Sequence, residues 1–142
     1  MRITNRTRNT LLGAKVRLAS TWFSRLRGYI GRPEPKPGEG ILLNRCNAIH
    51  TFWMSFDLDV LFLNEKGRVL ELIRSLRPWK RTLRIPEACY VLEIPAGMID
   101  VTGTRVGDEL TWREPAPYSI SVLAGDRRNQ GTSSTEGGRR TG

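Results

Sequence analysis

The seven residues DLDVLFL, Asp57 to Leu63, constrain this chain more than any other stretch. Val60, Leu61, Phe62 and Leu63 form an unbroken apolar run with β-branched and aromatic members, closed downstream by the turn-forming residues NEKG, and such a run reads as a strand. Asp57 and Asp59 stand at its start, so the simplest picture is a strand with acids at its mouth. Immediately upstream, IHTFWM places His50, the only histidine, beside Trp53 and Met54. The most apolar sequence and the most unusual chemistry therefore meet between Cys46 and Asn64.

The rest of the chain repeats the strand pattern in short pieces. In LLGAKVRLA, Val16 and Leu18 alternate with Arg17, and ILLNRCNAI, RVLELIRSL and CYVLEIPAG are strand-like runs bounded by turn residues. NEKG between two such runs predicts a hairpin turning at Asn64 to Gly67. One stretch changes period: Ser20 or Thr21 is a suitable N-cap, and Trp22, Phe23, Leu26, Tyr29 and Ile30 recur at helical spacing, with Gly28 and Gly31 near the end. RPEPKPGEG, with three prolines, is a loop, and RPWKRTLRIPEA is a crossing loop. MIDVTGTRVGDELTW gives a short helical piece, a turn at Gly107 and Asp108, and a last strand through Leu110 and Trp112. These signals predict a mainly β domain, a compact antiparallel sandwich or jelly-roll-like barrel with one or two short helices.

At 142 residues the chain suits one domain with one core. We assign that domain to residues 1–124, with YSISVLAG as a further edge strand, and residues 125–142, which offer no apolar anchor, to a disordered basic tail. The formal charge of +9 invites a nucleic-acid reading, but much of it sits in the ends, on Arg2, Arg6, Arg8, Arg127, Arg128, Arg139 and Arg140. The body is only mildly basic, so no nucleic-acid partner is expected beyond non-specific attraction to the termini. Arg25, Arg27 and Arg32 read as a solvated face near a helix C-terminus. No secretory signal or membrane span is evident, and the expected setting is cytoplasmic with no membrane partner. Cys46 and Cys89 are expected to be unpaired thiols in apolar surroundings.

Candidate site residues follow from chemistry that is costly to bury. Asp59 begins one apolar run and Glu93 interrupts another between Leu92 and Ile94; burial raises a carboxyl pKa and could make either a general acid or base. Each could equally be a structural group paired with backbone amides or an arginine, as a lone histidine such as His50 often is. Cys46 and His50 are four apart, about 13 Å along a strand, too far to share an ion unless the chain bends. No second histidine or CxxC pair exists, so neither a metal nor a cofactor is expected.

RLRGYIGRPEP, GILL, IHTFWM, LDVLFL, EKGRVLELI, VLEIPAG and VGDEL occur in an order and spacing that resemble the domain of unknown function 192 family, also called uncharacterised protein family 0127, over about residues 14–112. The resemblance implies a small bacterial or archaeal domain of mainly antiparallel strands with no established activity. Many members carry Lys-Asn-Thr after the Trp-Met pair, where Ser55, Phe56 and Asp57 stand in this chain.

The expected function is a non-catalytic binding domain whose cleft, lined by His50, Trp53, Met54, Asp59 and Glu93, takes a small polar ligand or an extended peptide. The alternative is an acid–base enzyme, a hydrolase or lyase, using Asp59 or Glu93 with His50. Asp59 and Glu93 are expected on neighbouring strands, with His50 completing a shared polar pocket beside Trp53.

Overall fold

The structure, a computed structural model, describes residues 1–113; the expected edge strand in YSISVLAG and the expected tail lie outside the described residues. The elements in chain order are β1 (Ile3–Asn5), β2 (Thr10–Gly13), β3 (Lys15–Ala19), α1 (Trp22–Arg27), β4 (Glu39–Asn44), β5 (Leu58–Leu63), β6 (Val69–Leu76), β7 (Tyr90–Pro95), α2 (Met98–Thr102) and β8 (Leu110–Thr111). They form a five-stranded sheet ordered β3-β4-β7-β5-β6 and a three-stranded sheet ordered β2-β1-β8.

The run LDVLFL is β5, and every one of its residues is buried. It lies between β6 and β7 with a core on each face, which is why its sequence does not alternate. Leu61 and Leu63 join Leu92 and Ile94 of β7, and Ile3, Leu12 and Leu110 from the smaller sheet, in one cluster. Leu58, Val60 and Phe62 join Val91, Ile41, Leu43, Tyr29 and Met54 in the other. The smaller sheet thus covers one face of the larger, while the turn after α1 and the loop after β4 cover the opposite face.

The expected hairpin is present, with Gly67 at φ +80° and the Asn64 side chain accepting from the amides of Lys66 and Arg68 at 3.0 and 2.9 Å. Thr21 caps α1 reciprocally with Ser24, but the helix stops at Arg27, because Gly28 leaves the helical region at φ +45°. Of the two architectures expected, the open two-sheet one is observed; no closed barrel forms among the described residues, where β3 and β6 are opposite edges of the larger sheet. The pairing is not wholly antiparallel. β3 and β4 run parallel, Lys15 opposite Glu39 through Ala19 opposite Leu43, since α1 and the proline-rich segment form a crossover that brings the chain back in the same direction.

The basic N-terminal residues are built into the fold. Ile3 and Asn5 are fully buried, and Asn5 Nδ2 donates to Thr104 Oγ1 at 3.2 Å and to Asp108 Oδ2 at 2.9 Å. Arg8 Nε donates to the same carboxylate oxygen at 3.0 Å. Burial pushes the Asp108 carboxyl up, but hydrogen bonds from Arg8 and Asn5 outweigh it and hold the group below its usual value.

Candidate functional site

A cleft of about 300 Å³ opens on the face of the larger sheet opposite the smaller one. Three segments build it. Residues 25–30 come from the end of α1 and the turn after it, residues 45–50 from the loop after β4, and Glu93 rises from the middle of β7, with Met54 packed alongside.

Glu93 faces the cleft because it sits between two residues that point to the other core. It pairs with Val60 of β5 and Ile41 of β4, both members of the cluster on this face. Its side chain is 3% exposed, and Oε2 is buried with no hydrogen-bond partner. A charged carboxylate there would lack both water and donors, so burial pushes its pKa up to about 8. Near neutral pH Glu93 is therefore mainly a protonated acid, able to donate one hydrogen bond.

Gly28 makes this placement possible. A Cβ on residue 28 would sit 3.0 Å from Glu93 Oε2 and 3.2 Å from Oε1, so the backbone passes over the carboxyl group only because position 28 has no side chain. Tyr29, the next residue, is buried beside the same group; burial first, then the nearby Glu93 and Glu39, push its phenol up to about 12. Its ring meets Phe56 edge-on at 6.0 Å.

The opposite wall carries Cys46 and His50. The chain does bend after β4: Arg45 has φ +54°, and Cys46 and His50 both line the cleft instead of standing apart along a strand. Cys46 Sγ donates to the Ala48 carbonyl at 3.2 Å, and burial, with Glu93 adding to it, raises the thiol pKa. Nδ1 of His50 is buried without a partner. Among the described residues no three His, Cys, Asp or Glu side chains gather closely enough to hold a metal ion, and both cysteines are free.

Three arginines stand at the rim. Arg25 Nη1 donates to the Asn44 carbonyl at 3.2 Å and Arg27 Nε to the Ile30 carbonyl at 3.3 Å, which fixes two guanidinium groups while leaving other N–H donors unused. Arg45 is exposed. Among the described residues Glu93 is the only acid lining the cleft, so the electrostatics there are cationic at the mouth and neutral on the floor.

Of the residues singled out from sequence, His50, Met54 and Glu93 come together here. Asp59 does not. It lies on the strand next to Glu93, as expected, but opposite Ile94, and alternation along β5 turns it to the other face. There Oδ1 accepts from the Ser75 amide at 2.9 Å and Oδ2 from the Ile99 amide at 2.8 Å, so the two carboxyl groups cannot share a pocket. Trp53 is 71% exposed and does not line the cleft. Gly28, Tyr29 and the three arginines went unrecognised as site residues; the available signal was the junction in RLRGYI of paired arginines, a glycine and an aromatic ring.

Comparison with known proteins places the chain in a wider group. A family model, DUF192, described as "Uncharacterized ACR, COG1430", matches residues 3–112. The UPF0127 protein of Thermococcus sibiricus is 32% identical over 139 residues, covering 90% of each chain, and that of Pyrococcus abyssi is 32% identical, covering 78% of this chain and 96% of its own. A crystal structure of a protein of unknown function from Novosphingobium aromaticivorans aligns with a TM-score of 0.68 at 23% identity, covering 78% of this chain and 82% of the other. A Sinorhizobium meliloti structure, labelled as a candidate transcription regulator, aligns with the same score at 24% identity, covering 78% and 89%. At those identities the two structures speak for the fold alone.

Proposed function

The chain belongs to the DUF192 family, whose function is unknown, and from that premise we propose that it is a binding domain whose cleft takes a small polar ligand with an anionic group. The observation that carries this reading is the buried, unpartnered Glu93 carboxyl on the floor of a cleft rimmed by Arg25, Arg27 and Arg45. An unsatisfied buried polar group is costly in a folded protein, and a ligand that accepts a hydrogen bond from it removes the cost. A carboxylate or phosphate on the same ligand would meet the arginine donors at the mouth, and His50 Nδ1 offers a further polar contact.

The acid–base alternative keeps one specific support: a carboxyl group with a pKa near 8 is tuned to exchange protons at neutral pH. That reading rests on Glu93 and His50, since Asp59 is engaged on the other face. Both readings are tested by a thermal-shift screen of small carboxylates, phosphates and uncharged amides against the parent and Glu93→Leu, which removes both the proton and the hydrogen-bond donor. Binding predicts stabilisation by anionic compounds that the variant loses, with the compound recovered unchanged; turnover of a stabilising compound would favour the enzyme. Equal stabilisation of parent and variant would mean that the ligand sits elsewhere.

A further inference from the structure

Beside the cleft, two tryptophans are held out from the surface. Trp53 is 71% and Trp79 56% exposed, and both occupy left-handed backbone, φ +69° and +62°, an unfavourable conformation for a bulky side chain that surrounding structure must enforce. Fully buried Thr51 enforces it. Its Oγ1 donates to the Arg77 carbonyl at 2.6 Å and accepts from the Lys80 amide at 2.9 Å. Its own carbonyl accepts from the Trp79 amide at 3.0 Å. The two turns are thereby locked with their rings together: Trp53 meets Trp79 at 4.7 Å, Trp79 meets Phe52 at 6.1 Å, and Phe52 meets His50 at 4.9 Å.

The patch continues along residues 80–85, which run antiparallel to residues 47–51. The Thr82 amide donates to the Ile49 carbonyl at 2.9 Å and the Thr51 amide to the Lys80 carbonyl at 2.8 Å. His50 and Arg81 are thus a non-hydrogen-bonded pair, whose side chains lie close on one face. Leu83, two residues beyond Arg81, is 85% exposed. Arg77, Lys80, Arg81 and Arg84 are exposed as well, and no acid occurs between Glu71 and Glu87.

We propose that this patch docks on an anionic bilayer surface, with Trp53, Trp79 and Leu83 entering the headgroup boundary and Arg81, with the exposed cations around it, meeting lipid phosphates. Tryptophan, leucine and flanking basic residues are the combination that partitions to such an interface. Leu83 favours lipid over a single nucleic-acid strand: it offers a base no stacking surface, whereas acyl chains accept it readily. Docking of this kind needs no spanning segment, and among the described residues no helix is long and apolar enough to cross a membrane. The proposal runs against the expectation of no membrane partner, and it does not depend on the cleft's ligand.

Co-sedimentation of the full chain with phosphatidylcholine vesicles, with and without phosphatidylglycerol, provides the test. The chain should be retained only by the anionic vesicles, and Leu83→Ser and Trp53→Ser should each weaken retention about tenfold, the effect of removing a few buried methylenes. Both side chains are exposed, so these variants should melt with the parent. No retention, or retention that neither substitution weakens, overturns the proposal, the latter because the basic termini remain in every variant. Tight binding to a single-stranded oligonucleotide without vesicle binding would overturn it in favour of a nucleic-acid face.

Discussion

A carboxyl group set into an apolar sheet can gather donors or keep its proton, and neighbouring strands of this domain show both solutions. Asp59 accepts two backbone amides, whereas Glu93 has an unpartnered oxygen and a pKa pushed up to about 8 by burial. Because that value lies above the ordinary 4.5, the stability linked to Glu93 is fully present below about pH 4.5 and is lost as pH rises toward 8. Glu93→Gln should therefore flatten the fall in melting temperature across that window; a profile parallel to the parent's would show that Glu93 does not titrate as described. Gly28 is the companion test. Gly28→Ala combines a positive φ with a Cβ 3.0 Å from Glu93 Oε2 and should cost about 1 kcal/mol or more in denaturant unfolding. An unchanged midpoint would mean that the turn moves aside freely.

At the scale of elements, Asp59 ties β5 to β6 and α2, since Ser75 belongs to one and Ile99 to the other. Asp59→Asn keeps an acceptor but sets an NH₂ group against a backbone donor. It should destabilise by about 1–3 kcal/mol in chemical denaturation while leaving ligand-induced thermal shifts intact; loss of binding without loss of stability would return Asp59 to the site. The strands were readable from local sequence wherever apolar runs met turn residues, as in LDVLFL followed by NEKG. The β1–β2 pairing was not, because the two strands are only three and four residues long and the meaning of Asn5 comes from the distant partners Thr104, Asp108 and Leu110. The parallel run of β4 along β3 was hidden for a related reason: direction is set by a crossover, and apolar pattern carries no direction.

Across the whole molecule, alternation along two adjacent strands decides which polar groups can meet. His50 and Glu93 were recognisable as candidates by residue type, but whether they shared a face with Asp59 depended on register, and a shift of one residue reverses every side chain. Formal charge misled in a similar way. Arg8, counted with the charge of the ends, is paired with Asp108 at 3.0 Å, while Arg25 and Arg27, read as a solvated face, stand with Arg45 at the cleft mouth. The central claim is that this cleft, with Glu93 at its floor, is where the domain binds. It is tested most directly by mapping backbone amide chemical shifts during titration with the best anionic compound from the thermal screen. The largest changes should fall on Gly28, Tyr29, Cys46, Ile49 and His50 and vanish in Glu93→Leu, which removes the donor that a glutamine would keep; saturable changes centred elsewhere, or an undiminished response in that variant, would contradict it.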